Sequence, residues 1–177
     1  PLNKGCYYLA MKHEINLAFI DGQNLHLGTK QNNWRVDYKK FRIYLKDKYF
    51  VEEAYYFFGY VLEDQQDLYN RLQKAGFIVL FKEHSAALKG TKKGNVDTDI
   101  VFEIMKTLLE RKDFSKLVLV SGDGDYKKMV DFLVKKGVFK KILFPNKQYA
   151  SSLYHKLGSE FFDYLESKDV RSKISYR

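Results

Sequence analysis

Leu117-Val118-Leu119-Val120-Ser121-Gly122-Asp123-Gly124-Asp125 runs from an apolar, partly β-branched stretch straight into two glycines and two carboxylates. The apolar part is too short for a helix and has no alternation. It reads as a strand buried on both faces, as in a parallel sheet covered by helices. The acidic part then falls at the strand's carboxyl end, where open α/β sheets bind ligands.

Working outward from this stretch, the same punctuation recurs. Ile15-Asn-Leu-Ala-Phe-Ile20 is a second such strand and ends in Asp21-Gly22-Gln23-Asn24. Ala54–Leu62, Phe77–Phe81 and Lys141–Phe144 read as further strands. Helical periodicity separates them, from Asp37 to Lys48, through Leu68, Leu72 and Ala75, and around Met129, Val130 and Leu133. Gly76 and Gly137 stand where helices stop. The strongest helix spans Asp97–Arg111, with Ile100, Val101, Ile104, Met105 and Leu108 inward. A last helix is predicted over Tyr149–Leu157, ended by Gly158, with Phe161–Leu165 packing after it. His84–Asn95 reads as a polar loop. Alternating strands and helices of this kind give an α/β fold with a mostly parallel sheet.

The chain has 177 residues, enough for one core. Residues 1–10 read as an upstream or appended segment before Met11, 11–167 as a single domain, and 168–177 as a frayed basic tail. The first ten residues lack the order of a signal peptide, and no apolar run approaches the ~20 residues that span a bilayer. The single cysteine, Cys6, excludes an internal disulfide and a cysteine zinc site, which fits a reducing cytoplasm. His13, His26, His84 and His155 have no zinc-ligand spacing. A net charge of +9 points to a polyanionic partner, nucleic acid first, although lysine-rich helices are also simply solvated.

If the strands ending at Ile20 and Val120 are neighbours, Asp21, Asp97, Asp99, Asp123 and Asp125 converge. Two carboxylates about 5 Å apart repel by roughly 3 kcal/mol at an effective dielectric near 20. Such a cluster needs a cation or a proton, and an all-oxygen set suits Mg2+ or Mn2+. Each acid also has a plain alternative. Asp97 serves as a helix N-cap, Asp99 complements the helix dipole, and Asp21-Gly22 makes an ordinary turn.

Phe19-Ile-Asp-Gly-Gln-Asn24, Lys93-Gly-Asn-Val-Asp-Thr-Asp99 and Val120-Ser-Gly-Asp-Gly-Asp-Tyr126 resemble, in order and spacing, the NYN domain family of PIN-like nucleases and its LabA-like branch. The resemblance runs from about Ile15 to Leu165. It implies a PIN-like three-layer α/β/α sandwich and metal-dependent hydrolysis of RNA, with homodimers common among such domains. Carried over by position, Asp21, Asp97 and Asp123 match metal ligands, and Asp125 a further ligand or water-positioning acid. Asn24 matches the polar partner of the first aspartate, and Asp99 stands a step behind the ligands. Lys93 and Ser121 occupy motif positions next to a phosphate.

RNA held against such a cluster needs cations nearby. Lys89, Lys92 and Lys93 precede Asp97, while Lys127 and Lys128 follow Asp125. Trp34, Tyr126 and Tyr149 are candidates for base stacking, whereas the Tyr55–Tyr60 run reads as core. Two other readings stand beside the nuclease. One is a non-catalytic RNA-binding or protein-interaction module on the same fold. The other is a different acidic phosphotransfer enzyme. A haloacid-dehalogenase phosphatase needs Asp-x-Asp after its first strand, where this chain has Asp21-Gly-Gln. A Toprim domain accommodates Asp123-Gly-Asp125 but needs a glutamate at Asp21.

Overall fold

The protein's architecture was obtained as a computed structural model that describes residues 14–82 and 96–176. Among them, β1 (Asn16–Asp21), β2 (Val51–Phe58), β3 (Ile78–Phe81), β4 (Lys116–Val120), β5 (Phe139–Phe144) and β6 (Phe162–Tyr164) form one sheet. Its order is β3-β2-β1-β4-β5-β6, and every pairing is parallel. β1 lies at the centre with Ile20 opposite both Tyr56 and Val120, so all six of its residues are buried. The chain builds outward to β3, then returns to the other side of β1. That reversal is the crevice-forming switch point of open α/β sheets, and Asp21 and Ser121 sit on its two lips.

Strand alternation divides the core into two layers. Ala18, Ile20, Val118 and Val120 face α1 (Gly22–Gln31), α2 (Tyr38–Tyr49), α3 (Gln66–Lys74) and α6 (Lys168–Ile174). Leu17, Phe19, Leu117 and Leu119 face α4 (Asp97–Glu110) and α5 (Lys127–Lys135). The result is the expected α/β/α sandwich. β2 is core, with Phe19 stacked on Tyr55 at 5.1 Å between ring centres. Gly76 and Gly137 stop their helices at φ +91° and +72°, conformations that L side chains resist.

Three expectations change, and one helix had not been foreseen. β2 starts at Val51 and ends at Phe58, so it is shifted toward the N-terminus of the Ala54–Leu62 stretch. Gly22–Gln31 is a helix despite two glycines, because Asp21 caps it by accepting from the Asn24 N–H at 2.9 Å. Tyr149–Leu157 is no α-helix; only Ser152–Lys156 coils, as a 3-10 turn capped by Ser151. Residues 168–174 are not frayed, since α6 buries Val170 and Ile174 against α2. The chain is pinned beyond it by Asp37 N–H donating to Ile174 C=O at 2.8 Å and by Tyr176 N–H donating to Arg35 C=O at 3.2 Å.

Candidate metal centre

The alternation that points Leu17 and Phe19 toward α4 and α5 sends Asp21 the same way. Asp97 opens α4 but does not cap it; Val96 is the N-cap, leaving the Asp97 carboxylate to turn toward the strand ends. Asp123 follows β4 and caps the turn Gly124–Tyr126 by accepting from Asp125 N–H at 3.0 Å. One carboxylate oxygen each from Asp97, Asp123 and Asp125 lies within 4.8 Å of the others. Asp97 and Asp123 are half-buried and Asp125 is exposed, so the cluster opens to solvent. Three converging carboxylates form an all-oxygen donor set suited to a hard divalent ion.

Asp21 stands behind this group. Tyr126, fully buried, donates its O–H to Asp97 Oδ1 at 2.6 Å and more weakly to Asp21 Oδ2 at 3.2 Å. Burial, then the charges of Asp21 and Asp97, hold the Tyr126 hydroxyl well above its ordinary pKa, so it remains a donor. Asp21 is 4% exposed, and burial pushes its pKa up to about 6. The Asn24 N–H and Tyr126 O–H oppose this shift, while Asp97 and Asp123 add to it. Tyr126 is therefore no base-stacking surface. Its link between Asp21 and Asp97 is the role the sequence did not reveal, although Tyr126 closes the Val120–Tyr126 motif.

The surrounding backbone is held closely. Asn24 Oδ1 accepts from Gly122 N–H at 2.8 Å, tying the end of β1 to the loop after β4. Ser121, buried, accepts from Asp123 N–H at 3.1 Å. Tyr154 donates to the Asp123 carbonyl at 2.6 Å, and Ser151 N–H to the Gly122 carbonyl at 2.9 Å. A Cβ at Gly124 would meet Ser151 Oγ at 2.4 Å, and one at Gly22 would meet the Phe57 carbonyl at 2.6 Å. Both glycines thus permit close approach.

The remaining candidates lie apart. Asp99 pairs with Lys82 at 3.6 Å and is outside the three-carboxylate group. Lys127 pairs with Asp131 one turn along α5, and Lys128 is exposed. Tyr149 is exposed, whereas Trp34 is buried on the other face of the sheet. Lys89, Lys92 and Lys93 lie outside the described residues.

Comparison with known proteins bears on the family and the fold. The chain is 26% identical over 167 residues to the "Low amplitude and bright protein LabA" of Synechococcus elongatus, covering 88% of this chain and 85% of that one. A crystal structure of a protein of unknown function from Vibrio parahaemolyticus superposes with a TM-score of 0.68 at 20% identity. That match covers 93% of this chain and 98% of the other, and at such identity it speaks to the fold alone. The NYN domain model matches residues 17–165, from the start of β1 to just past β6, and the chain belongs to the NYN domain family.

Proposed function

We propose that the protein is a metal-dependent ribonuclease that hydrolyses RNA phosphodiester bonds at the strand-end carboxylates. The observation that carries this is the approach of Asp97, Asp123 and Asp125 oxygens to within 4.8 Å at the switch point of the sheet. Membership of a family that generally comprises nucleases supports the substrate class.

In this reading Asp97, Asp123 and Asp125 hold Mg2+ or Mn2+ directly, and Asp21 completes the negative field from behind Tyr126. A divalent ion bound there supplies Lewis acidity, polarising a phosphoryl oxygen and lowering the pKa of water. The chain's own contribution is orientation. Tyr126 fixes which oxygen of Asp97 faces the crevice, Asn24 fixes the Gly122 amide, and Ser121 fixes Asp123. Asp125, the exposed member, serves as a further ligand or orients water at the solvent side. Lys127 and Lys128, which follow Asp125 in sequence, and Lys93, which precedes Asp97, provide charge for the phosphate backbone.

The test is cleavage of single-stranded and structured RNAs with Mn2+ or Mg2+, with EDTA and Asp123→Asn as controls. Asn at position 123 keeps an acceptor for the Asp125 amide, so the loop survives while the charge is lost. Cleavage is expected to vanish in EDTA and to fall by about 100-fold or more in the variant. Cleavage that persists under both conditions would overturn the proposal. RNA binding without metal-dependent cleavage would assign the chain to the non-catalytic reading.

A further inference from the structure

A cleft of about 920 Å³ lies on the α1–α2–α3–α6 face of the sheet, away from the carboxylate cluster. Its volume falls in the range of roughly 300–1,000 Å³ typical of small-molecule sites. Lys30, Arg35, Arg71 and Arg171 line it, and no carboxylate does. None of these four cations forms an ion pair with a described residue. Lys30, Arg35 and Arg71 are exposed and Arg171 is half-buried, so the cleft presents one sign of charge to solvent and its field favours an anion.

Its other walls are aromatic. Trp34, Tyr38, Tyr56 and Tyr176 line the same space. The Arg171 guanidinium sits 5.7 Å from the centre of the Trp34 ring, a cation–π contact that also presents a planar cation to the cleft. Trp34 is 6% exposed, and its indole Nε1–H has no hydrogen-bond partner among the described residues. Buried donors are rarely left unpaired, and each such case asks for a missing acceptor. Nearby, burial and the charges of Lys30 and Arg35 lower the pKa of His26, keeping it a neutral donor and acceptor on the rim. Anion-binding guanidinium groups, the accessible rings of Tyr38 and Tyr176, and the orphan Trp34 donor together match a ligand with a phosphate and an aromatic ring rich in acceptors.

We propose that this cleft is a nucleoside-phosphate binding site, separate from the carboxylate cluster, whose occupant is either a free nucleotide or one nucleotide of an RNA strand. Strand alternation puts the two sites on opposite faces of β1, with α1 between them. Asp21 caps α1, and Leu25 and Thr29 on that helix line the cleft. The proposal does not rest on the metal centre.

Trp34 is the chain's one tryptophan, so its fluorescence reports this cleft directly. The full chain, in EDTA, is titrated with each of the four ribonucleoside monophosphates, with short single-stranded RNA, and with orthophosphate. Asp123→Asn protein is titrated in parallel. A saturable change with monophosphates is expected in both proteins, weakened roughly tenfold or more in Arg35→Ala and Arg71→Ala. Both arginines are exposed at the cleft, and Lys30→Ala is a third, independent surface variant. A response to RNA but not to monophosphates would support the proposal with the strand as its source. Orthophosphate matching the nucleotides, no saturable response to any of them, or equal affinity in all three variants would each overturn it. Because metal is absent throughout, failure of the ribonuclease reading leaves this result untouched.

Discussion

Tyr126 carries one hydroxyl proton to two carboxylates, and its shorter contact, 2.6 Å, is to Asp97. Asp21 is left with the weaker share of that donor in a nearly dry position, which is why its pKa rises from 3.8 to about 6. The sign follows from linkage: between those two values the folded state binds more protons than the unfolded one, so Asp21 erodes stability as pH rises through that window. The cost to the charged form is about 3 kcal/mol at most. Asp21→Asn keeps the acceptor for the Asn24 amide and can donate to Tyr126. It is therefore expected to raise metal-free stability over wild type by up to roughly 3 kcal/mol at pH 8, with the gain shrinking toward pH 4. Urea melts in EDTA at the two pH values check this, and a variant less stable at pH 8 contradicts it. Asp21, Asp97, Asp123 and Asp125 were legible as a group because each follows a strand or opens a helix. Their division into three converging oxygens and one acid behind them was not, because it depends on a phenol brought in by a different face of the loop.

At the level of elements, the buried strands announced themselves. Leu17–Ile20 and Leu117–Val120 are apolar throughout because both faces of the sheet are covered. α1 was hidden: Gly22-Gln-Asn-Leu-His-Leu-Gly-Thr-Lys-Gln31 has two glycines and little apolar periodicity, and tertiary contacts demand both glycines. At Gly28 a Cβ would meet Pro145 Cβ at 2.7 Å. α6 was hidden for the opposite reason. Its composition is polar, and only Val170 and Ile174, four apart, reach the core. Ile174 is fully buried, so Ile174→Ala is expected to cost about 2–5 kcal/mol, where a frayed tail would show no loss. Chemical denaturation measures the difference. Tyr149–Leu157 reads as a helix, but only Ser152–Lys156 coils, as a 3-10 turn, because hydrogen bonds to the Gly122 and Asp123 carbonyls, both distant in sequence, shape it.

Across the whole molecule, the sheet order creates the site. β1 and β4 are adjacent although about a hundred residues separate them, and their carboxyl ends collect acids from three stretches of chain. No single stretch holds the full donor set, so an ion that bridges Asp97 to Asp123 and Asp125 binds the folded chain and not the unfolded one. The chain as a whole carries a net charge of +9, opposite in sign to this acidic point. Among the described residues no helix is long and apolar enough to cross a membrane. The most direct measurement is titration calorimetry of Mn2+ into the apo-protein, with Asp123→Asn and Asp99→Asn alongside. Saturable binding is expected in wild type and in Asp99→Asn, whose carboxylate pairs with Lys82, and is expected to be lost in Asp123→Asn. Wild-type protein that takes up no Mn2+, or an Asp123→Asn variant that binds it equally well, would contradict the assignment of these carboxylates as a metal centre.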